Sequence, residues 1–263
     1  LIGEERAKPL KNFFDALNDV VLKMVDLIML SAPYAVFALL ANVVASSGDP
    51  DLLVALLKYS GVVVLGLFLM IVFYTIIVST YTKKNPFWFL KEISPAQLLA
   101  FSTSSSAATL PVTMERVEEH IGVDKEVSSF VLPVGATINM DGTSLYQGVA
   151  AVFAMQVLWP EGLVFSNQII IVLTALLASI GSAAVPGAGM VMLVIVLESI
   201  GFPPHLYPIA LALIFAVDRP LDMCRTVVNI TGDATVAMTV GKSVGKLGEP
   251  HPKEWDDHLE EVR

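Results

Sequence analysis

Charge is what this sequence has least of. Only 16% of its 263 residues are Asp, Glu, Lys or Arg, against 55% that are hydrophobic. Soluble domains run nearer a quarter charged, so the composition argues against a cytosolic globular enzyme. Mean hydropathy is +0.70. Cysteine is almost absent, and the single Cys224 excludes a disulfide framework and any Cys-rich metal site. His120, His205, His251 and His258 all lie outside the apolar segments, so no imidazole acid–base is expected inside a membrane. The net charge of −9 speaks against a nucleic-acid partner. The chain starts at Leu1 without a signal-peptide pattern. It reads as a piece of a longer protein that lacks its N-terminal part.

The few charges are also unevenly placed. Between Val127 and Gly241 the only Lys or Arg residues are Arg219 and Arg225. The acids there are Asp141, Glu161, Glu198, Asp218, Asp222 and Asp233. So long a charge-poor stretch predicts a series of membrane segments. Hydrophobic blocks run over residues 13–45, 52–81, 86–119, 127–158, 168–201 and 206–241. Basic residues flank the third block on both sides, at Lys83, Lys84, Arg116 and Lys125. The links around the fifth block carry none. If every block crossed once, basic and neutral links would alternate. The third and fifth blocks are therefore expected to leave on the side they entered, one opening to the cytoplasm and one to the outside.

Three blocks are interrupted by small and polar residues: STSSSAAT at 102–109, NMDGT at 139–143 and GSAAVPGAG at 181–189. Non-helical backbone at membrane depth survives only where protein, water or a ligand satisfies it. Helix N-termini at such breaks present positive dipole ends, and free carbonyls there suit an alkali cation. Helix packing through small residues is the plainer alternative.

The last block carries the strongest local signal. At about 100° per residue, Asp218, Asp222, Arg225, Asn229 and Asp233 fall within roughly 80° of arc. Each charge costs about 2.5–3.5 kcal/mol at mid-bilayer, so it is expected to be paired or to bind something charged. Arg225 offers a planar fork for a carboxylate, and Asp222 a partner for an ammonium. Together they suit a zwitterionic amino acid with an acidic side chain. The alternative is a structural Asp222–Arg225 pair at i, i+3. Asn139 and Asp233 are oxygen donors suited to a cation.

Together and in this order, these motifs resemble the glutamate/aspartate transporter (sodium:dicarboxylate symporter) family. The resemblance runs from about Lys11 to about Gly241, and we take the chain as the C-terminal part of a prokaryotic member. It implies an all-α membrane protein of the elevator type, with two inverted re-entrant helical hairpins. It also implies a homotrimer in the lipid bilayer of the cell membrane, multi-pass, carrying aspartate or glutamate with sodium ions. Residues 1–50 would be a scaffold helix and 51–241 the transport domain. Within that domain the resemblance places a cytoplasmic-side hairpin at 85–120, a broken helix at 127–158, an extracellular-side hairpin at 168–201 and a last helix at 206–241. Residues 242–263 would be a solvated or disordered cytoplasmic tail.

The resemblance also implies roles for residues. Arg225, assisted by Thr143, would meet the substrate side-chain carboxylate. Asp222, with Thr226 nearby, would meet the amino group. Asn229 and backbone groups at Ser106, Val185 and Gly189 would meet the main-chain carboxylate. One sodium site would use Gly135, Asn139, Asn229 and Asp233. Another would use backbone oxygens of Thr137, Met140, Ser179, Ile180 and Ser182. A third would use Asn139 and Asp141 together with residues of the missing N-terminal helices. The second tip, with Gly181, Pro186 and Gly187, would be the outer gate.

Two departures stand out. Family members carry an arginine either in the first hairpin tip, where this chain has Ser104, or in the last helix, where it has Met223. Arg219 is expected to supply that charge. Pro220 removes a backbone donor in mid-helix without an evident reason. Rival readings are a proton-coupled glutamate or C4-dicarboxylate symporter, a neutral amino acid transporter, and an anion channel built on Arg219 and Arg225. An intramembrane aspartyl protease is disfavoured, because Arg225 opposes the protonated carboxyl that a dyad needs.

Overall fold

The computed structural model describes residues 4–47 and 51–252. Residues 1–49 and 50–263 form two separate compact units. The first contains α1 (Glu4–Ser47), one 44-residue helix that includes Pro9 and Pro33.

The second unit opens with α2 (Asp51–Ile77), extended by a wider turn through Thr82. Among the described residues, this is the one helix long and apolar enough to cross a membrane by itself. The predicted crossings further along fail that test for physical reasons. The block at 127–158 is cut into α5 (Lys125–Ile138) and α6 (Asp141–Leu158). The last block, α9 (Tyr207–Ser243), carries the charged ladder. Many large apolar side chains of α2 are exposed, among them Leu57, Leu65 and Phe68. A helix dressed this way suits lipid and not water.

The third block forms α3 (Pro86–Thr103) and α4 (Ser106–Glu115), which pack on each other. Asn85 starts α3: its side chain accepts from the amides of Phe87 (2.8 Å) and Trp88, with Pro86 at the first helical position. The fifth block forms α7 (Phe165–Ile180) and α8 (Ala188–Ser199), also packed together. Helix α9 runs through the middle of the unit and touches α2, α3, α5, α6 and α8. An apolar core of Phe89, Ile93, Leu132, Ile230 and Met238 ties α3 and α5 to it.

Residues 244–252 of the expected solvated or disordered tail are mostly exposed and yet ordered. Past α9 the chain turns at Gly245 (φ 73°) and lies along the link 119–124. Lys246 O accepts from Asp124 N (3.0 Å), Gly248 N donates to Gly122 O (2.8 Å) and His251 N donates to Glu119 O (2.8 Å). A bridge pairs Val123 with Leu247. These polar residues stay ordered because their backbone groups find partners. Residues 253–263 of the expected tail lie outside the described residues.

Candidate functional site

Helix α9 is continuous past Pro220 and presents the whole ladder inward. Asp218, Asp222, Arg225, Asn229 and Asp233 are all buried, Arg225 to 1% exposure. Arg225 Nη1 donates to Asp218 Oδ1 at 2.9 Å, and Nη2 lies 2.7 Å from Asp222 Oδ1. The guanidinium carbon sits 3.9 Å from the centre of the Tyr146 ring. That is a desolvated cation–π contact, and the Tyr146 hydroxyl is anchored on Met190 Sδ at 2.9 Å. The structural i, i+3 pair is therefore formed, yet it leaves the guanidinium incompletely used. Among the described residues Nε and Nη2 make no aligned hydrogen bond, and neither does the buried Ser182 hydroxyl. A buried donor left this way costs about 1–3 kcal/mol. That edge matches the two oxygens of a carboxylate.

Two tips close over this helix. The first is only two residues wide. Ser104 ends α3 in the left-handed region (φ 52°), and the Ser105 hydroxyl caps α4 by accepting from Ala108 N at 3.1 Å. The second tip runs from Gly181 to Gly187, where Pro186 precedes a left-handed Gly187 (φ 77°). The tips touch: Ser105 Oγ donates to Ala184 O at 2.6 Å. Gly187 N donates to Asp222 Oδ2 at 2.9 Å. Between them lies a cavity of about 20 Å³, room for about one water. Ser106, Val185 and Gly189 line it from the tips, Met140 and Thr143 from the broken helix, and Asp222, Arg225, Thr226 and Asn229 from α9. A methyl on Gly189 would stand 3.1 Å from Arg225 Nη2, so the backbone there closes on the guanidinium because glycine has no side chain.

The break between α5 and α6 narrows to Asn139 and Met140. Asn139 Nδ2 donates to Asp233 Oδ1 at 2.9 Å. Gly135 lies so near that a Cβ on it would be 2.5 Å from the same oxygen. Asp141 accepts a hydrogen bond from the Tyr74 hydroxyl. The fold thus brings Gly135, Asn139 and Asp233 together. Asn229 is turned instead to the start of α6, where Oδ1 accepts from Gly142 N (2.8 Å) and Nδ2 donates to Thr143 Oγ1 (3.2 Å). Of the second predicted oxygen set, Thr137 and Ile180 are exposed while Met140, Ser179 and Ser182 are buried. Ser179 O accepts from Ser182 N at 3.2 Å, and α5 packs on α7. Carbonyl, amide and carboxylate oxygens are hard donors suited to alkali cations.

Arg219 Nη1 donates to Ser104 Oγ at 3.0 Å and lies 3.8 Å from Asp222 Oδ2. Its side chain therefore spans from the first tip to the ladder. Sequence reasoning missed several partners. Asp218 was visible as the first rung, but nothing singled it out as the hydrogen-bond acceptor of Arg225. Tyr146 and Gln147 follow Thr143 by about one turn of α6; Gln147 Nε2 reaches Gly189 O at 3.3 Å. Tyr74 comes from α2, distant in sequence and without a local signal.

A profile described as the sodium:dicarboxylate symporter family matches residues 1–243. Among curated proteins the chain is similar to excitatory amino acid transporter 1 of Ambystoma tigrinum, 43% identical over 233 residues. That alignment covers 88% of this chain and 42% of the relative. The Homo sapiens transporters 1 and 2 of the same name are each 42% identical over 88% of this chain, covering 42% and 40% of their own lengths. The chain thus spans about two fifths of the length of the curated relatives it matches.

Proposed function

Because the chain belongs to the sodium:dicarboxylate symporter family, we propose that it forms the binding region of a sodium-driven carrier of aspartate or glutamate. The observation that carries the reading is the buried Nε–Nη2 edge of Arg225, which lacks an aligned hydrogen bond, beside the Asp222 carboxylate. The side-chain carboxylate of the substrate takes that edge, with Thr143 alongside. The substrate ammonium takes Asp222. Asn229 and the tip backbone at Ser106, Val185 and Gly189 hold the main-chain carboxylate. Thr226, whose hydroxyl donates to Asp222 O at 2.9 Å, lies next to the ammonium position.

A 20 Å³ cavity does not admit an amino acid, so a tip must move. The second tip is the mobile one in this scheme. Its holds on the rest of the site include the Ser105–Ala184 and Gly187–Asp222 hydrogen bonds. A substrate ammonium on Asp222 replaces the second of these directly. Sodium at Gly135, Asn139, Asn229 and Asp233 sets the geometry of the broken helix, and Asn139 with Asp141 serves a third ion. Sodium on the carbonyls of Thr137, Met140, Ser179, Ile180 and Ser182 fastens the tip afterwards. The coupling is reciprocal, so substrate tightens sodium by the factor by which sodium tightens substrate. The loaded unit then moves as an elevator within a homotrimer, the two helical hairpins re-entering the lipid bilayer from opposite sides. Sodium-gradient-driven uptake of labelled aspartate by the full-length protein in liposomes tests the reading. Absence of uptake refutes it, and uptake driven equally by a proton gradient alone favours proton coupling.

A further inference from the structure

A second cavity, of about 840 Å³, opens between α2, α6 and α7, and no ladder residue lines it. The register of its walls follows from three contacts between α2 and α6. The Tyr74 hydroxyl bonds Asp141. A Cβ on Gly66 would sit 3.0 Å from Leu145. Tyr59 stacks on Phe153 with ring centres 4.7 Å apart. The helices are therefore antiparallel, and Lys58 stands level with the last turns of α6. Gln156 lies two residues before the end of α6, and Gln168 in the first turn of α7. These three polar side chains share one end of the cavity. The adjoining links, 46–51 and 159–168, contain no Lys or Arg, which puts this end at the outer surface.

Below that end the walls are apolar, down to Ser144. From Gln156 to Ser144 is twelve residues of α6, about 18 Å of helix. One leaflet of the hydrocarbon core is about 15 Å deep. The cavity thus runs from headgroup level to mid-membrane. Its wall is open at Gly148, where an added Cβ would meet nothing within 4 Å. Lys58 is the one charged residue between Asp51 and Lys83. It is exposed and, among the described residues, forms no ion pair. A lysine within an apolar span costs about 2.5–3.5 kcal/mol if left at depth, which snorkelling or an anionic partner relieves.

We propose that this cavity is a lipid site. One acyl chain of an anionic phospholipid lies along α6 past Gly148, and its phosphate rests on Lys58 beside the amides of Gln156 and Gln168. The inference rests on the membrane placement of the chain and on no part of the amino acid chemistry.

The test is native mass spectrometry of the full-length protein in nanodiscs of phosphatidylglycerol or phosphatidylcholine, with K58Q and G148L beside the unaltered protein. One retained phosphatidylglycerol per subunit is expected, held at least tenfold better than phosphatidylcholine. K58Q is expected to abolish that preference, and G148L to remove the retained lipid of either kind. Two results overturn the proposal: lipid retention unchanged in both variants, which marks ordinary annular lipid, and no retained lipid in the unaltered protein. A third concerns protein as the occupant. G148L in delipidated protein is expected to leave the melting temperature unchanged or raised, and a clear fall shows that a protein segment fills the cavity. Aspartate uptake measured on the same samples separates the two readings, because lost lipid with retained uptake leaves the transport proposal standing.

Discussion

Replacing Arg225 by Lys separates recognition from architecture. The lysine keeps a positive charge near Asp218 and Asp222, which hold Arg225 at 2.9 and 2.7 Å. It loses the planar fork and its Nε–Nη2 edge. A hydrogen bond to a charged group contributes about 1.5–3 kcal/mol, equivalent to about 10- to 150-fold in affinity. Aspartate and glutamate affinity should fall by that factor. Alanine and serine lack the side-chain carboxylate, so their weaker binding should change little. Calorimetric titration of both substrate classes at saturating sodium measures the difference. Equal losses for acidic and neutral amino acids would refute the reasoning and leave Arg225 as a structural cation. Arg225→Ala is the wrong probe, because it removes the cation that two buried carboxylates share, at about 3–5 kcal/mol of stability.

Other substitutions test other parts of the site. Gly135→Ala pushes a methyl to within 2.5 Å of Asp233 Oδ1; the sodium concentration for half-maximal aspartate binding should rise about tenfold, about 1.4 kcal/mol. Gly61→Ala, which meets nothing within 4 Å, should leave it unchanged. Arg219→Ala breaks the contact with Ser104, but its side chain is 35% exposed and such pairs contribute under about 1 kcal/mol. Substrate affinity should therefore shift less than about fivefold while turnover changes more, and unaltered kinetics would rule out a role at the tip. Gly187→Ala strains a left-handed turn at φ 77° by about 1–2 kcal/mol. Bound aspartate should leave about 5- to 30-fold faster in stopped-flow measurements, and an unchanged rate would show that the left-handed turn at Gly187 does not set the closure of the second tip over bound substrate.

The sequence pattern resolved the ladder well, because helical periodicity alone sorts Asp218, Asp222, Arg225, Asn229 and Asp233 onto one face. The breaks were located but drawn too wide. The first tip spans Ser104 and Ser105 and not 102–109, since neighbouring hydroxyls bond back into their own helices. Ser102 and Thr103 both donate to Leu99 O at 2.9 Å, and Thr109 to Ser105 O at 2.8 Å. Such residues read as breakers while remaining helical. The ordered tail was illegible because backbone amides hold it, and backbone amides leave no trace in composition. Tyr74 and Tyr146 were missed because their roles depend on helix crossings that periodicity does not fix.

The start of α6 meets α9 at Gly142, where a methyl would come within 2.6 Å of Arg225 O. The amide of Gly142 is held by Asn229 Oδ1 at 2.8 Å. This crossing works as a bolt. It ties the break between α5 and α6 to the stretch of α9 that carries Arg225, so a shift of one is passed to the other. In the proposed cycle an ion that sets the geometry of the break is therefore felt at the guanidinium through this crossing.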